Sequence, residues 1–335
     1  SILHVDRIVS PYIEAVKPKH LRVFIARSDP ALNYGLLCAV LLSKIALSKL
    51  KAVEKEHDIS IEPILGVGSR PFRGHLSPEN IDNFLQEYKG ISTVTIQSAF
   101  RYDYPTEQVK ECIQTLNQRL SNGEPETIDQ QEEETLLAIL GKCRLQYERE
   151  IEVIAPFINS VAAYVPQRRA RKLHIGLFGY SRSVAGVCLP RAISFASALY
   201  SCGLPPEFIG MRALTKLNES EWKLLQKYYV KMQPDLNSIG EYVSWENIGM
   251  LMEMSHKAAK RANMSEENLK IALLNFSDDL KTVEEKFAIK LGPKGLSQRK
   301  HENFTNNFLI SYMQKEDAEA KKALIESAKL RKCLG

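Results

Sequence analysis

The chain has 335 residues, a formal net charge of +5 at pH 7 and 25 % charged residues. This length allows a large buried core, either in one large domain or in two ordinary ones. The net charge is modest and basic clusters such as PQRRARK are short, which argues against a dedicated nucleic-acid binder. The longest apolar stretch, residues 36–47, is interrupted by Ser43 and Lys44 and is too short to span a bilayer, so the sequence also argues against a membrane protein.

The N-terminus and the cysteines bear on completeness and location. ILHVDRIVSPYIEAV, which follows Ser1, has the pattern of an amphipathic helix and not of a secretory signal. A chain that lacks an initiator Met and opens inside a helix is expected to be a fragment or a processed product. The six cysteines are widely scattered, without a CxxC pair or a histidine at metal-ligand spacing, so we expect a reduced, cytoplasmic protein.

Strand and helix patterns alternate in the first half of the chain. Short segments rich in branched apolar residues predict strands over residues 21–26, 59–65, 93–97 and 173–178. Amphipathic segments between them predict helices, notably over 33–56, 78–88 and 106–164. This alternation favours an α/β fold with parallel strands. Beyond residue 190 the pattern is helical throughout, and residues 311–334 read as a solvated helix.

The visible βα units are only about half of those in an eight-stranded barrel. Either the sheet is small and open, or the first half of a barrel precedes Ser1, and the start inside a helix favours the second interpretation. We therefore expect residues 1–190 to form the C-terminal half of a (β/α)8 TIM-like barrel, with a helical insertion near 106–164. Residues 191–335 are expected to be a mainly helical region packed on the barrel.

Each predicted strand ends in a polar cluster. The clusters are Arg27-Ser28-Asp29, Ser69-Arg70 with Arg73, Gln97-Ser98 with Arg101 and Asp103, and Tyr180-Ser181-Arg182. Ligands of parallel α/β folds bind at the carboxyl ends of the strands. One arginine at such a place is ordinarily salt-bridged or solvated, but four clusters at the same topological position favour an anionic ligand.

The loop GVGSRPFRGHL, residues 66–76, carries two arginines three residues apart. A guanidinium presents a planar fork of donors that matches phosphate or carboxylate oxygens, and glycines such as Gly74 allow a ligand to approach the backbone closely. No GK[ST] follows, so the loop is not a P-loop. We predict that Arg70 and Arg73 are catalytic and that Gly74 contacts the substrate; the alternative is a surface turn with solvated arginines.

The segment ARSDPALNYG places Asp29 directly after the first strand, with Pro30 suited to the start of a helix. Two roles for Asp29 stay open at this point. It caps the following helix, or it binds a hard divalent cation, since Mg²⁺ usually takes one or two carboxylates together with substrate oxygens. The neighbouring Arg27 and Ser28 are predicted to bind the substrate in a shared anion and metal site.

Further candidates follow the third and fourth strands. Gln97 can orient a carboxylate or a water, and Arg101 can bind a second anion. Arg182 directly follows the fourth strand, and Tyr180 can close the pocket. His75, the one histidine near these loops, is expected at the surface or in a supporting position rather than as a general base. The spacings show no Ser/His/Asp or Cys/His triad and no zinc signature.

Five segments in this order resemble the archaeal-type phosphoenolpyruvate carboxylases. They are LRVFIARSDPALNYG, GVGSRPFRGHL, TVTIQSAFRYDYP, GLFGYSRS and LPRAISFASALYSCGLPPEFIG. The resemblance runs over nearly the whole chain and implies the C-terminal two thirds of such an enzyme. It implies a (β/α)8 barrel with extra helices, and the Mg²⁺- or Mn²⁺-dependent carboxylation of phosphoenolpyruvate by bicarbonate to oxaloacetate and phosphate.

The resemblance also assigns roles, motif by motif. Asp29 resembles the family's metal-binding aspartate, Arg70 and Arg73 the arginines of its glycine-rich loop, Gln97 the glutamine after the next strand, and Arg182 the arginine after a later strand. One departure is Asn33, which stands where larger relatives carry a lysine. The family's second metal carboxylate and its N-terminal histidine lie upstream of the segment that this chain matches, so the missing N-terminal segment is an expected partner.

The chemistry that the resemblance implies suits an arginine-lined site. Bicarbonate attacks phosphorus to give carboxyphosphate and the enolate of pyruvate, and CO₂ released from carboxyphosphate is captured by the enolate. A homo-oligomer and an aspartate-like feedback effector are further expectations. Two alternatives remain: another metal-dependent barrel lyase or phosphotransferase acting on phosphorylated or keto acids, and a non-enzymatic, basic helical scaffold that binds an acidic partner or RNA.

Overall fold

The computed structural model describes residues 1–96, 98–167, 183–184 and 186–335. The chain forms two compact units that are each internally packed. The first comprises Ser1–Ala31, Leu36–Lys142 and Leu217–Met232, and the second comprises Leu32–Gly35, Cys143–Lys216 and Gln233–Gly335. Among the described helices, none combines the length and the apolar character needed to cross a membrane.

The first helix, α1 (Val5–Val16), is amphipathic as the sequence predicts. Its buried residues Val5, Val9 and Ile13 follow one another at intervals of four and therefore lie on one face. The helix ends at Lys17, which adopts the left-handed conformation with φ 51°. This turn leads the chain into the first strand.

Three parallel strands form the sheet of the first unit in sequence order. They are β1 (His20–Ala26), β2 (Ser60–Gly66) and β3 (Thr93–Val94). Parallel neighbours require crossover connections, which contain α2 (Ser28–His57) and α3 (Ile81–Glu87). The sheet agrees with the predicted α/β class, although β3 is shorter than the predicted 93–97. The described residues show no closed barrel, and the fourth predicted strand, 173–178, lies outside them.

The helix α2 begins earlier than the predicted residue 33 and is interrupted at Gly35. Gly35 has φ 85°, and a methyl group there would come within 2.8 Å of the Tyr147 ring. The Tyr147 hydroxyl donates a hydrogen bond of 2.8 Å to the carbonyl of Leu32, which the interruption releases. Glycine is therefore required at this position both for its backbone conformation and for the space that the tyrosine occupies.

The core of the first unit lies between the sheet and its helices. Ile25 of β1 and Leu65 of β2 are buried in it with Leu50 of α2 and Phe84 of α3. Branched and aromatic side chains from strands and helices are thereby removed from water together, which stabilises the layers against each other. This core supports the loops at the carboxyl ends of the strands.

The segment predicted as one helical insertion near 106–164 contains two helices. After the short α4 (Ser98–Tyr102) come α5 (Thr106–Arg119) and α6 (Gln130–Ala162). The acidic stretch between them remains non-helical until residue 130. A short antiparallel pair, β4 (Ser183–Val184) and β5 (Val187–Cys188), follows and was not expected from the sequence.

Residues 191–335, all of which the structure describes, contain helices and no strand. The helices are α7 (Ala192–Ser201), α8 (Glu219–Tyr228), α9 (Met232–Gly240), α10 (Trp245–Glu253), α11 (Ser255–Ala262), α12 (Glu266–Phe287), α13 (Leu296–Gln314) and α14 (Asp317–Leu330). In the second unit, α13 and α14 pack on one another and on α7.

The prediction of a solvated helix over residues 311–334 was wrong. Lys315, with φ 67°, ends α13, and a second helix begins at Asp317. That helix, α14, buries Ala320, Ala323 and Leu324. Small residues on one face let it pack closely, so the Lys- and Glu-rich composition reflects only its outer face.

All six cysteines are free thiols, and all except Cys188 are buried. Burial raises the pKa of the Cys112 thiol to about 11 and also raises that of Cys202. Both thiols are therefore protonated and unreactive near neutral pH.

Candidate functional site

The carboxyl ends of the three strands lie side by side. The register pairs Ala26 with Gly66 and Leu65 with Val94, so the residues that follow the strands start from one edge of the sheet. The alignment continues past the strands, because the Arg27 N–H donates to the Gly66 carbonyl at 3.1 Å. The polar clusters after the first and second strands are thereby brought together.

The loop after β2 folds back on itself through backbone hydrogen bonds. The N–H of Gly68 donates to the carbonyl of Arg73 at 2.7 Å, and the N–H of Leu76 donates to the carbonyl of Gly68 at 2.9 Å. Between these residues lies a single 3₁₀ turn, Pro71–Arg73. The conformation of the loop is therefore held largely by its own backbone hydrogen bonds. Arg70 and Arg73 both belong to this loop.

Arg73 reaches across to the end of the first strand. Its Nε donates to Ser28 Oγ at 3.3 Å, and the residue is only 5 % exposed. Its side chain also packs on Gly68, where an added methyl group would come within 2.8 Å of the guanidinium carbon. The structure thus joins Arg73 to the segment that directly follows the first strand.

Arg70 lies at the start of the same turn in an extended conformation. Its carbonyl accepts the N–H groups of both Arg73 and His75 at 2.9 Å, and its side chain is largely buried. Arg70 and Arg73 are therefore not solvated arginines of a surface turn. Two buried guanidinium groups thus lie on one loop, and each presents a planar fork of donors of the kind that matches phosphate or carboxylate oxygens.

Arg27 is wholly buried and makes a different set of contacts from the substrate contact predicted for it. Its Nε donates to the Tyr88 hydroxyl at 2.9 Å. Its two terminal nitrogens donate to the carbonyls of Phe72 at 3.1 Å and Pro71 at 3.2 Å. The guanidinium of Arg27 is therefore directed into the protein and holds the backbone of the loop that carries Arg73.

Gly74, which the sequence analysis placed against the substrate, has a conformational and a packing reason to be glycine. Its φ is 109°, in the region that residues with a side chain rarely adopt. A methyl group there would come within 2.6 Å of Val67 Cγ1 and 3.1 Å of Arg27 Cγ. The absence of a side chain therefore makes room for the stem of Arg27, and a substrate contact of Gly74 stays a prediction.

Asp29 lies in the first turn of α2, directly after Ser28, and is partly exposed. A carboxylate in the first turn of a helix is stabilised by the helix dipole. Within the described ranges, no three His, Cys, Asp or Glu side chains are grouped so that they could hold a metal ion. Asp29 fits a Mg²⁺ site only as a single protein carboxylate, with substrate oxygens or further ligands completing the coordination.

The remaining predicted site residues are not brought to this loop by the described contacts. Arg101 is exposed in α4, and its guanidinium lies 5.3 Å from the centre of the Tyr102 ring. Gln97, Tyr180 and Arg182 lie outside the described residues, so their predicted roles stay predictions.

Two contributors to the site were missed in the sequence. Thr95, just after β3, accepts the N–H of Val67 through its hydroxyl oxygen at 3.0 Å and so ties the second loop to the third strand. A polar residue at a strand end was the available signal for it. Tyr88, at the end of α3, supports Arg27, and nothing in the local sequence indicates this contact.

Comparison with known proteins identifies the family. The family model described as phosphoenolpyruvate carboxylase matches residues 1–335. Phosphoenolpyruvate carboxylases from Caldivirga maquilingensis and Metallosphaera sedula are each 43 % identical to the chain over all 335 residues, and that from Picrophilus torridus is 38 % identical. The chain spans 64 % of the length of the first relative and 63 % of the other two. The chain belongs to the phosphoenolpyruvate carboxylase family.

Proposed function

We propose that this chain provides a large part of the site at which phosphoenolpyruvate is carboxylated by bicarbonate, giving oxaloacetate and phosphate. The main observation in support is the hydrogen bond of 3.3 Å from Arg73 Nε to Ser28 Oγ. It joins the arginine loop after β2 to the segment that contains Asp29. Both substrates are anions and repel each other unless cationic groups screen them. Buried guanidinium groups supply that screening in a region of low dielectric.

We assign Arg70 and Arg73 to the phosphate and carboxylate oxygens of the substrate. As a bicarbonate oxygen bonds to phosphorus and the bond from phosphorus to the enolate oxygen breaks, negative charge develops on that oxygen, and preorganised donors stabilise it without having to reorient. Gln97 and Arg182 are proposed as further catalytic residues, and Ser28, Arg101 and Tyr180 as substrate-binding residues. For Arg27, the contacts favour a supporting position over the direct substrate contact expected from the sequence.

Asp29 is the residue that we propose to hold a divalent cation, Mg²⁺ or Mn²⁺. When bound, such an ion would polarise the phosphoryl oxygens and offset the charge that develops on the enolate. Asp29 supplies a carboxylate directly after Ser28, which Arg73 contacts, and the residue is partly exposed. The remaining ligands would come from the substrate, from water or from other parts of the protein.

Apolar residues that exclude water from the site favour this chemistry, since CO₂ must react with the enolate before water protonates it. Leu65 in β2 and Val67 just after it are wholly buried in the hydrophobic core of the first unit. Apolar side chains in this position exclude water from the edge of the sheet. They therefore support carboxylation over hydrolysis or protonation of the intermediate.

The larger architecture is also a proposal. The β1–β2–β3 sheet is consistent with one part of a (β/α)8 barrel to which residues 1–190 contribute half. Phe24 of β1 is 58 % exposed, as expected if further strands cover this region in the whole protein. We propose that the chain corresponds to the C-terminal part of its relatives, with residues 191–335 as a helical region on the barrel and the missing N-terminal segment completing the site.

The proposal extends to assembly, regulation and location. Exposed apolar side chains such as Leu274 and Leu296 are compatible with a homo-oligomer. An aspartate-like effector and a cytoplasmic location are further parts of the proposal.

The test is a reaction in which each component is omitted in turn. The protein, expressed from its complete gene, is incubated with phosphoenolpyruvate, bicarbonate and Mg²⁺, and both oxaloacetate and phosphate are measured. We expect equal amounts of the two products, with neither formed when bicarbonate or the metal is left out. Phosphate release that does not depend on bicarbonate would indicate a phosphatase or phosphotransferase and would refute the proposal.

A further inference from the structure

Arg27 and Ser28 hold the arginine loop from two directions. Ser28 accepts a hydrogen bond from the side chain of Arg73, whereas Arg27 donates to the backbone carbonyls of Pro71 and Phe72. One dipeptide after β1 therefore contacts both the turn and the side chain that the turn presents. A displacement of the turn would move Arg73 with it.

The three hydrogen bonds that Arg27 donates depend on the shape of the guanidinium group. Its two terminal nitrogens reach two successive carbonyls, and its Nε is left to donate to the Tyr88 hydroxyl. A lysine at this position keeps the charge but presents one nitrogen, so it cannot reproduce three divergent contacts from the same stem. Both Arg27 and Tyr88 are nearly or wholly buried, which excludes water as a ready replacement.

Tyr88 is itself held by its neighbours. Its ring lies 5.3 Å from that of Phe84, and the Lys44 ammonium lies 5.7 Å from its centre. Lys44 forms a buried ion pair of 3.0 Å with Glu87, whose other carboxylate oxygen accepts the N–H of Lys231 at 2.7 Å. The end of α3 is thereby fixed, so the Tyr88 hydroxyl offers Arg27 a stationary acceptor.

We infer that Arg27, oriented by Tyr88, is a positioning residue that sets where Arg73 stands relative to the substrate. The inference rests on the proposed function for its kinetic consequence, but the arrangement of the loop can be measured without any activity. Arg27 acts through the backbone of Pro71 and Phe72, and Tyr88 acts through Arg27. A displacement of about 1 Å in such a group can cost about 100-fold in rate.

The experiment compares Arg27→Lys, Tyr88→Phe and the double variant with the wild type, all expressed from the complete gene. Arg119→Lys is the matched control, since Arg119 forms an exposed ion pair with Asp82. Hydrogen exchange of residues 66–76 reports the loop directly, and exchange within β1 and β2 reports the sheet. Steady-state kinetics with phosphoenolpyruvate then separate kcat from KM.

In Arg27→Lys we expect faster exchange in residues 66–76, unchanged exchange in β2, and a fall in kcat/KM of about 10- to 100-fold. Tyr88→Phe should give the same pattern with a loss of roughly threefold to tenfold. In the Arg27→Lys background, Tyr88→Phe should add little, because two residues that act in series are not additive. Arg119→Lys should match the wild type in every measurement.

Two results would overturn the inference. Wild-type exchange of the loop in Arg27→Lys, or in Tyr88→Phe should Arg27→Lys not fold, would show that the loop holds its place without this contact. Fully additive losses in the double variant would show that Tyr88 does not act through Arg27. If the wild type lacks carboxylase activity, the proposed function fails, and the exchange data still decide the positioning role.

Discussion

The guanidinium of Arg73 lies over the backbone of Gly68, so close that a methyl group on Gly68 would come within 2.8 Å of its carbon Cζ. The same guanidinium donates from Nε to Ser28. Gly68 thus permits a buried arginine to cross its own loop and meet the next strand end. The small size of this residue, more than its flexibility, accounts for its place in the loop.

A Gly68→Ala substitution should therefore displace Arg73 and leave the fold intact. We expect turnover to fall by about 10- to 100-fold, because the displaced guanidinium no longer meets the substrate correctly. Steady-state kinetics and thermal unfolding measure the two effects separately. Gly249→Ala is the control, since a methyl group there has open space around it. Unchanged turnover in Gly68→Ala would mean that the position of Arg73 is not critical.

Asp29→Asn separates the two roles that the sequence left open for this residue. Asp29 lies in the first turn of α2 and not at its N-cap, so asparagine removes only the interaction of its charge with the helix dipole, about 0.3–1 kcal/mol, and the fold should persist. We expect Mn²⁺ affinity to fall, and carboxylation to fall by about 100- to 1000-fold. Titration of Mn²⁺ by electron paramagnetic resonance provides the measurement, with the surface variant Asp82→Asn alongside. A variant that binds Mn²⁺ and turns over normally would leave Asp29 only its interaction with the dipole of α2.

Removing one partner of the buried ion pair between Lys44 and Glu87 should lower the free energy of unfolding. Their side chains are 7 % and 4 % exposed. Lys44→Met leaves the Glu87 carboxylate buried without its cation, which should destabilise the protein by about 3–5 kcal/mol. Lys44→Met combined with Glu87→Gln should recover part of that loss. Denaturant unfolding measures both, and a loss below about 1 kcal/mol in the single variant would contradict the expectation.

A pair of buried carboxylates in the second unit predicts a dependence of stability on pH. Burial, and next the adjacent carboxylate of Glu150, raise the pKa of Asp279 well above its usual range. The N–H of Gly210 donates to both groups, at 3.0 Å to Glu150 and 2.9 Å to Asp279, and Arg212 and Asp278 are the charged neighbours.

The sign of this dependence follows from proton binding. Above about pH 4 the unfolded chain releases the Asp279 proton while the folded protein retains it, so stability falls as the pH rises toward the raised pKa. Asp279→Asn removes this titration, and its amide nitrogen can donate to Glu150 in place of the shared proton. We expect the midpoint of thermal unfolding to fall less steeply with pH in the variant between pH 4 and 8. Parallel curves for the two proteins would contradict this.

The sequence predicted much of the sheet, because branched apolar runs separated by amphipathic segments are a local property. The interruption of α2 was not predictable in the same way. It depends on Tyr147, whose hydroxyl bonds a carbonyl 115 residues earlier in the chain. The strand β3 is also shorter than expected, since its register with β2 covers only Thr93 and Val94, with a further backbone hydrogen bond from the Thr95 N–H to the Leu65 carbonyl.

Residue type alone was enough to single out the arginines of the candidate site, but the direction of each side chain was not predictable. Two arginines in a glycine-bounded loop indicated an anion-binding site. The contact of Arg73 with Ser28 is consistent with this hypothesis. Arg27 stands in the same cluster but points inward, to acceptors 44 and 45 residues away. Local sequence does not show which way a side chain turns after a strand, so the contacts of Arg27 with Pro71 and Phe72 were not predictable.

The most direct test of the central claim is the bicarbonate-dependent formation of oxaloacetate by Arg73→Ala, measured beside the wild type and Arg119→Ala. We expect Arg73→Ala to fold normally and to lose about 100- to 1000-fold in turnover, while Arg119→Ala retains full activity. Near wild-type turnover in Arg73→Ala would contradict the claim that this loop forms the anion site.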